Sequence, residues 1–222
     1  MRRSRRPPCA HAPATQDMPP TSAPEFEDAA AALAWIRERE RSHPALYDVR
    51  RHVADRLTYL VGRRARLLDV GGGAALQTEM ILARLADAAC VWIDPSPEMR
   101  TLAEARLAHR SECFFRTGAS LEALEAIEES AAFDAAWAID AFGARANASD
   151  PKAVHAAVFR RLAPGGRYFV CEPYASAPDA PDDGSYVSVD AQEAAIASAD
   201  FEVGASLTLV GAIAVHEMVR PG

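Results

Sequence analysis

The sequence predicts an α/β fold with a mostly parallel sheet, and two apolar runs carry most of that prediction. The first run, residues 67–70, leads into the glycine-rich turn 71–73, as a buried strand does when it feeds a helix. The second run, residues 91–93, ends in Asp94, about 20 residues after the turn. At that spacing the next parallel strand delivers a carboxylate to a ribose. The two runs therefore predict a nucleoside-binding site.

Two helical segments precede these strands, at residues 25–41 and 45–61. Pro44 before the second segment and Gly62 after it are typical helix boundaries. Apolar side chains recur at helical spacing within that segment, namely Leu46, Val49, Val53, Leu57 and Leu60. The simplest expectation is that both helices pack on the sheet.

Beyond the glycine turn, predicted strands alternate with predicted helices. Helices are expected at 76–86, 97–109, 121–127, 151–162 and 191–199, and strands at 112–116, 133–138, 168–171, 201–210 and 212–220. Pro97 lies in the first turn of its helix, and Asp150 with Pro151 provides an N-cap and a first-turn proline. The alternation predicts a parallel sheet, and the last two strands, separated by Gly211, predict an antiparallel hairpin at its edge.

Three ligands compete for the glycine turn. A phosphate-binding P-loop needs Gly-Lys-Ser/Thr, which residues 74–76 do not provide. A dinucleotide fingerprint needs Gly or Ala where this chain has Leu76, and it places a pyrophosphate near the like charge of Asp69. S-adenosylmethionine fits better, because it has a ribose, no phosphate, and an ammonium that a carboxylate favours.

Four motifs in order strengthen this interpretation. Asp69, Gly71 and Gly73 match the loop pattern Asp-x-Gly-x-Gly, and residues 94–99 read Asp-Pro-Ser-Pro-Glu-Met. Phe-Asp follows at residues 133–134, immediately before an apolar run.

The fourth motif, Leu-Ala-Pro-Gly-Gly-Arg at residues 162–167, stands before the fifth predicted strand. With these motifs the chain resembles the class I S-adenosylmethionine-dependent methyltransferases, small-molecule type, over about residues 66–220. The resemblance implies a Rossmann-like sheet of seven strands in the order 3-2-1-4-5-7-6, with strand seven antiparallel and helices on both faces. It also implies a core at 63–222, cap helices at 25–62, and one methyltransferase domain over 25–222.

The resemblance assigns roles at one rim of the sheet. Asp69 would favour the ammonium of S-adenosylmethionine, and Asp94 with Pro95 would hold the ribose. Gly71, Gly72 and Gly73 would line the methionine portion. Ala119 and Ser120 would border the adenine.

Asp140, after the fourth strand, is the candidate for chemistry, as a general base or a substrate anchor, with a turn residue as the alternative. Glu172 ends the fifth strand and is a weaker candidate. The resemblance also makes the two N-terminal helices a lid, from which three side chains could reach the transferred methyl group: Tyr47, Asp48 and His52. His155 is expected on the surface and His216 at a sheet edge.

Two positions depart from the family pattern. Ala75 stands where relatives have a third glycine. Ala119 stands where relatives commonly have an aspartate that accepts from the adenine amino group, so this contact would fall to backbone or to Ser120. The net value of one such hydrogen bond is about 0.5–1.5 kcal/mol. The leading function is methyl transfer to a small molecule, and the alternative is a non-catalytic relative that binds S-adenosylmethionine as a sensor or partner subunit.

Composition narrows the partners. The formal charge is −7, and residues 1–18 carry +3, so the remainder carries −10. An acidic body argues against nucleic acid, and no apolar run is long enough for a membrane span. The tail at 1–24 has the composition of a disordered segment, without an apolar leader. Cys9, Cys90, Cys113 and Cys171 show no metal-binding spacing and suit a reducing compartment. These features predict a cytoplasmic monomer or homodimer without a metal.

Overall fold

The computed structural model describes residues 25–128, 132–142, 150–174, 187–203 and 207–222. The predicted tail at 1–24 and residues 175–186 lie outside these ranges. The helices are α1 (Ala29–Ser42), α2 (Ala45–Leu60), α3 (Leu76–Leu82), α4 (Pro97–Arg106), α5 (Ser120–Glu125), α6 (Pro151–Arg161) and α7 (Val189–Ala197). The strands are β1 (Arg66–Val70), β2 (Ala89–Asp94), β3 (Cys113–Thr117), β4 (Phe133–Ile139), β5 (Leu162–Pro173), β6 (Glu202–Val203), β7 (Thr208–Val210) and β8 (Ile213–Val219).

One sheet joins all these strands, in the order β3-β2-β1-β4-β5-β8-β6, with β7 also paired to β8. The first five strands are parallel, and β8 runs antiparallel to β5, β6 and β7. Since β6 and β7 both lie along the edge of β8 that faces away from β5, they are two parts of the predicted sixth strand. The predicted order 3-2-1-4-5-7-6 with an antiparallel seventh strand is confirmed.

Alternate residues of each strand face opposite helical layers. On one face Leu68 and Val70 pack in a core shared with α5, α6 and α7. On the other face Leu67 packs in a core with α2 and α3, and Trp92 packs with α1 and α4. Runs with both faces buried are what a parallel sheet between two helical layers requires. This layering leaves the carboxyl ends of the parallel strands as a common rim.

Helix starts follow their capping residues. Asp28 accepts from the backbone N–H of Ala31 at 2.8 Å, so α1 begins at Ala29 rather than at the predicted residue 25. Ser96 and Asp150 cap α4 and α6 in the same way, each followed by proline. Helices α3 and α4 end three or four residues earlier than predicted.

The fifth strand is much longer than the predicted 168–171. It begins at Leu162, opposite Phe133, and includes the Pro-Gly-Gly turn behind an irregularity in the pairing. Gly165 donates to the carbonyl of Arg220 at 2.8 Å, and Arg220 donates to the carbonyl of Gly166 at 3.0 Å. The turn is therefore held by the residue that follows β8, and the local sequence around the turn does not predict this contact.

Both histidine predictions are wrong. His155 is buried in α6, where Nδ1 lies 3.2 Å from the Tyr168 hydroxyl. His216 is buried because β8 is an inner strand, and its Nε2 lies 3.0 Å from Gln192 Oε1. Burial lowers the pKa of each ring to about 4.

Two further findings concern composition. In the part of the chain that the structure describes, no helix has both the length and the apolar character that a membrane crossing requires. The cysteines at 90, 113 and 171 are free thiols, the first and last of them buried.

Candidate functional site

The rim at the carboxyl ends of the parallel strands collects four acidic side chains. Asp69 lies at the end of β1, Asp94 at the end of β2, Asp140 just after β4 and Glu172 near the end of β5. Because parallel strands end at the same edge, residues spread over more than 100 positions of sequence meet in one region.

The loop between β1 and α3 is folded tightly against β2. The backbone N–H groups of Gly71 and Gly72 both donate to the carbonyl of Ile93 at 2.9 Å. A Cβ on Gly72 would collide with the indole ring of Trp92. A glycine is therefore required at residue 72 by packing alone.

Gly73 has a different environment. Its φ of 50° lies in the left-handed region, and a Cβ built there would meet nothing within 4 Å. Ala75, two residues later, also has a left-handed φ of 58°, at the position where relatives have glycine. The missing side chain of Gly73 thus leaves open space beside the loop backbone, as a loop that receives a ligand requires.

Asp94 is fixed by the same loop. Its Oδ2 accepts from the N–H of Gly73 at 2.9 Å, and its Oδ1 accepts from the N–H of Ser96 at 2.9 Å. Burial raises the pKa of Asp94 to about 6, and these two N–H groups partly oppose the rise. Each oxygen accepts one bond from the backbone and retains capacity for another donor.

Asp69 lies deeper, with 2% of its surface exposed, and accepts a hydrogen bond from the hydroxyl of Thr78 in α3. Burial raises the pKa of Asp69 to about 7, the Thr78 bond lowers it, and the charge of Asp94 raises it. A half-protonated buried carboxyl at neutral pH favours a cation beside it.

The loop after β3 borders Asp94. Gly118 donates to the carbonyl of Asp94 at 3.1 Å. Ala119 occupies the N-cap position of α5 without a capping side chain, and Ser120 is fully buried. Pro95 is half-buried directly after β2. The residues predicted to border ribose and adenine therefore adjoin one another.

Asp140 is bound by the N-terminal helix. The Arg39 Nε donates to Oδ2 and its Nη2 donates to Oδ1, both at 2.6 Å. Asp140 has a left-handed φ of 56°, which is uncommon for a non-glycine residue. His43, which directly follows α1, has a lowered pKa, because burial and the charge of Arg39 outweigh the opposing effect of the Asp140 charge.

Glu172 supports the turn that follows Asp140. Its Oε1 accepts from the N–H of Ala141 at 2.6 Å and from that of Phe142 at 3.1 Å. Burial first, and then the charge of Asp140, raise the pKa of Glu172 to about 8. Both carboxyls thus lie within the electrostatic reach of Arg39.

The three lid candidates all lie in α2, and two of them are exposed. Tyr47 is 61% exposed, Asp48 is exposed beside Arg51, and His52 is half-buried. The sequence did hold one signal for Arg39, which follows buried Ala32 and Ile36 on one face of α1 and so faces the protein.

Residues 68–168 match the family model described as a methyltransferase domain. No curated protein sequence matches the chain.

Solved structures match over most of the chain. One is the complex between the Haloferax volcanii Trm112 methyltransferase activator and a candidate methyltransferase, with 17% identity, a TM-score of 0.68, and coverage of 90% of this chain and 100% of that one. An O-methyltransferase family protein from Burkholderia thailandensis has 16% identity and a TM-score of 0.65, with 88% and 61% coverage. Human N-acetylserotonin methyltransferase in complex with S-adenosylmethionine has 13% identity and a TM-score of 0.59, with 88% and 57% coverage.

The chain therefore spans less than two thirds of the length of the last two proteins. At these identities the likeness shows the fold, and the family model identifies the domain within it. Residues 68–168 are therefore a methyltransferase domain, and the chain has the fold of the matched methyltransferase structures.

Proposed function

We propose that the protein transfers the methyl group of S-adenosylmethionine to a small-molecule acceptor. The observation that carries the proposal is the pairing of a ribose-type carboxylate with an open glycine loop. Asp94 accepts from the N–H of Gly73, and the side-chain position of Gly73 faces empty space. A ligand in that space would contact both groups at once.

The residues present fit this cofactor. Asp94, beside Pro95, would accept from the ribose hydroxyls, and residues 118–120 would border the adenine. Gly71, Gly72 and Gly73 would line the methionine portion. Ala119 and Ser120 offer adenine no side-chain carboxylate, so backbone groups of this loop would make the polar contact.

The electrostatics support a cation and disfavour a phosphate. Burial raises the pKa of Asp69 to about 7 and that of Asp94 to about 6. A cationic ligand would favour both carboxylates, whereas a pyrophosphate would be repelled by them. When bound, S-adenosylmethionine would supply an activated methyl group, so the chemistry asks the protein chiefly to position the acceptor.

Asp140 would face the acceptor. The ion pair with Arg39 brings α1 over the end of β4, and an acceptor bound there would lie between the lid helix and the rim. A carboxylate and a guanidinium at that place can orient polar groups of an acceptor, and Asp140 could accept a proton from it.

The relatives support the same proposal at a coarser level. An O-methyltransferase family protein, a carbon methyltransferase and an N-acetylserotonin methyltransferase are among the matched structures. From the charge and the fold together we extend the proposal to a cytoplasmic monomer or homodimer that binds no nucleic acid. Its residues 25–62 would cap a core at 63–222.

A product assay tests catalysis directly. The purified protein would be incubated with S-adenosylmethionine and a panel of small hydroxyl, amine and carbon acceptors, and release of S-adenosylhomocysteine would be measured. We expect turnover with at least one acceptor class and its loss in Asp140→Ala. Tight cofactor binding without turnover on any acceptor would favour a sensor or partner subunit instead.

A further inference from the structure

We propose that Glu172 is a positioning residue of this site, which fixes the turn Asp140–Ala141–Phe142 between the proposed acceptor and the glycine loop. Nothing in the sequence motifs assigns it this role. The structural part of the proposal stands by itself, and its consequence for cofactor binding rests on the proposed function.

The turn needs an acceptor that the sheet cannot supply. Asp140 still donates to the carbonyl of Cys171 at 2.8 Å, which continues the ladder between β4 and β5. The left-handed φ of Asp140 then turns the chain away from the sheet. The next two N–H groups therefore lie beyond the ladder, and buried N–H groups without an acceptor are strongly disfavoured.

Glu172 meets that need with one atom. Its Oε1 accepts from Ala141 at 2.6 Å and from Phe142 at 3.1 Å, and the residue is 4% exposed. Burial first, and then the charge of Asp140, raise the pKa of Glu172 and so favour its protonated form. A protonated carboxyl keeps an oxygen that accepts both bonds, so the contact does not depend on the charge.

The turn that Glu172 holds touches both halves of the site. Ala141 is 3% exposed, and a Cβ on Gly71 would lie 2.7 Å from the Ala141 Cβ, so the turn rests directly on the glycine loop. On the other side Asp140 carries the ion pair to Arg39. A displaced turn would shift the loop that lines the methionine portion and the carboxylate that faces the acceptor.

Two variants separate positioning from proton transfer. Glu172→Met keeps a side chain of similar length but has no oxygen to accept the two bonds. Glu172→Gln keeps an accepting oxygen and removes the titrating group. If Glu172 acted only in proton transfer, neither variant would change amide exchange at the turn, whereas a positioning residue loses protection in the methionine variant and is rescued by glutamine. Glu217→Ala is the matched control, because Glu217 is equally buried in the neighbouring strand and pairs with Arg56, away from the turn.

The experiment measures amide hydrogen exchange of Ala141 and Phe142 and the Kd of S-adenosylhomocysteine. In Glu172→Met we expect exchange and Kd to rise roughly tenfold, while Glu172→Gln stays within about threefold of the wild type. A tenfold change is what the loss of two hydrogen bonds gives when each contributes at the lower end of its usual range. Glu217→Ala should leave both readouts at the turn unchanged.

If Ala141 and Phe142 exchange their amide hydrogens as slowly in Glu172→Met as in the wild type, the proposal is wrong. Equal defects in the glutamine and methionine variants would also overturn it, because the charge or the proton would then be what matters. If the methionine variant does not fold, the glutamine variant keeps the proposal falsifiable, because exchange at the turn more than about threefold above the wild type would overturn it. If the wild type does not bind S-adenosylhomocysteine, the proposed function fails, while the exchange arm still tests the positioning role.

Discussion

Arg39 and Asp140 are 101 residues apart and form a two-pronged ion pair with both N–O distances at 2.6 Å. Their side chains are 23% and 12% exposed, so the pair is only partly hydrated. A guanidinium that meets both oxygens of a carboxylate forms a stronger and more directional contact than a single-pronged pair. This contact joins α1 to the end of β4, at the rim that carries the candidate site.

The first prediction follows from that geometry. Arg39→Ala should increase amide exchange in α1 by at least about tenfold, because charged hydrogen bonds of this kind contribute about 1.5–3 kcal/mol. Arg39→Lys should recover only part of the protection, since an ammonium cannot form the planar two-pronged contact. Hydrogen exchange with mass spectrometry measures both.

Arg41→Ala is the matched control for this experiment. Arg41 belongs to the same helix and pairs with Glu38, but both side chains are mostly exposed, and such pairs contribute little. Equal exchange in Arg39→Ala and Arg41→Ala would contradict the role assigned to the ion pair.

The second prediction concerns the space beside Gly73. Gly73→Ala should leave the fold intact and lower the free energy of unfolding by about 1–2 kcal/mol, the cost of an alanine in the left-handed conformation. It should weaken S-adenosylmethionine binding at least about tenfold. The added methyl would meet no protein atom within 4 Å and would stand where the methionine portion is proposed. Thermal unfolding and calorimetry measure the two effects.

Gly165→Ala controls for backbone strain. Gly165 also has a left-handed φ, of 77°, and open space around it, but it lies in the turn that β8 holds. We expect a similar loss of stability and unchanged binding. If both variants bind the cofactor like the wild type, the open space beside Gly73 is not the binding site.

The third prediction is a pH dependence of binding. Burial holds the pKa of Asp69 at about 7, and an ammonium prefers the ionised carboxylate, so binding should release a proton at neutral pH. The Kd should fall roughly five- to tenfold between pH 6 and 7.5, as expected for one linked proton. Above about pH 8 the gain should reverse, because a free α-amino group loses its proton with a pKa of about 7.7–8.0.

Calorimetry in buffers of different ionisation enthalpy would count the released protons. Asp69→Asn should flatten the dependence between pH 6 and 7.5, because the amide does not titrate and can still accept from Thr78. A wild-type Kd that stays constant or rises over that interval would show that Asp69 does not meet the ammonium.

Local sequence predicted the parts of this site that depend on local geometry. The glycine loop and Asp94 were predicted correctly at their strand ends, because an apolar run followed by a turn or a carboxylate defines its own position. The strand order came from resemblance and is confirmed. Helix starts at α4 and α6 were also predicted, since a capping side chain followed by proline marks them.

Contacts between distant segments were not predictable in this way. Arg39 was missed because its partner, Asp140, is 101 residues away and no spacing rule connects them. His155 was placed on the surface because its helix position says nothing about Tyr168, whose hydroxyl lies 3.2 Å from it. The early start of β5 depends on the pairing of Leu162 with Phe133 and on the hydrogen bonds between Arg220 and the turn at residues 165–166. Each of these errors comes from tertiary contacts rather than from local preference.

The central claim is that Asp94 and the glycine loop bind a sulfonium nucleoside. Its most direct test is calorimetric titration of S-adenosylmethionine and of NAD into wild type, Asp94→Asn and Asp94→Ala. Asp134→Ala is the control, a carboxylate at the opposite end of the sheet that accepts from the N–H of Arg66. For the wild type we predict micromolar binding of S-adenosylmethionine and no binding of NAD. Both Asp94 variants should bind S-adenosylmethionine at least about tenfold more weakly, which corresponds to about 1.4 kcal/mol, and Asp134→Ala should bind it like the wild type. Binding of NAD in place of S-adenosylmethionine, or undiminished binding in Asp94→Ala, would contradict the claim.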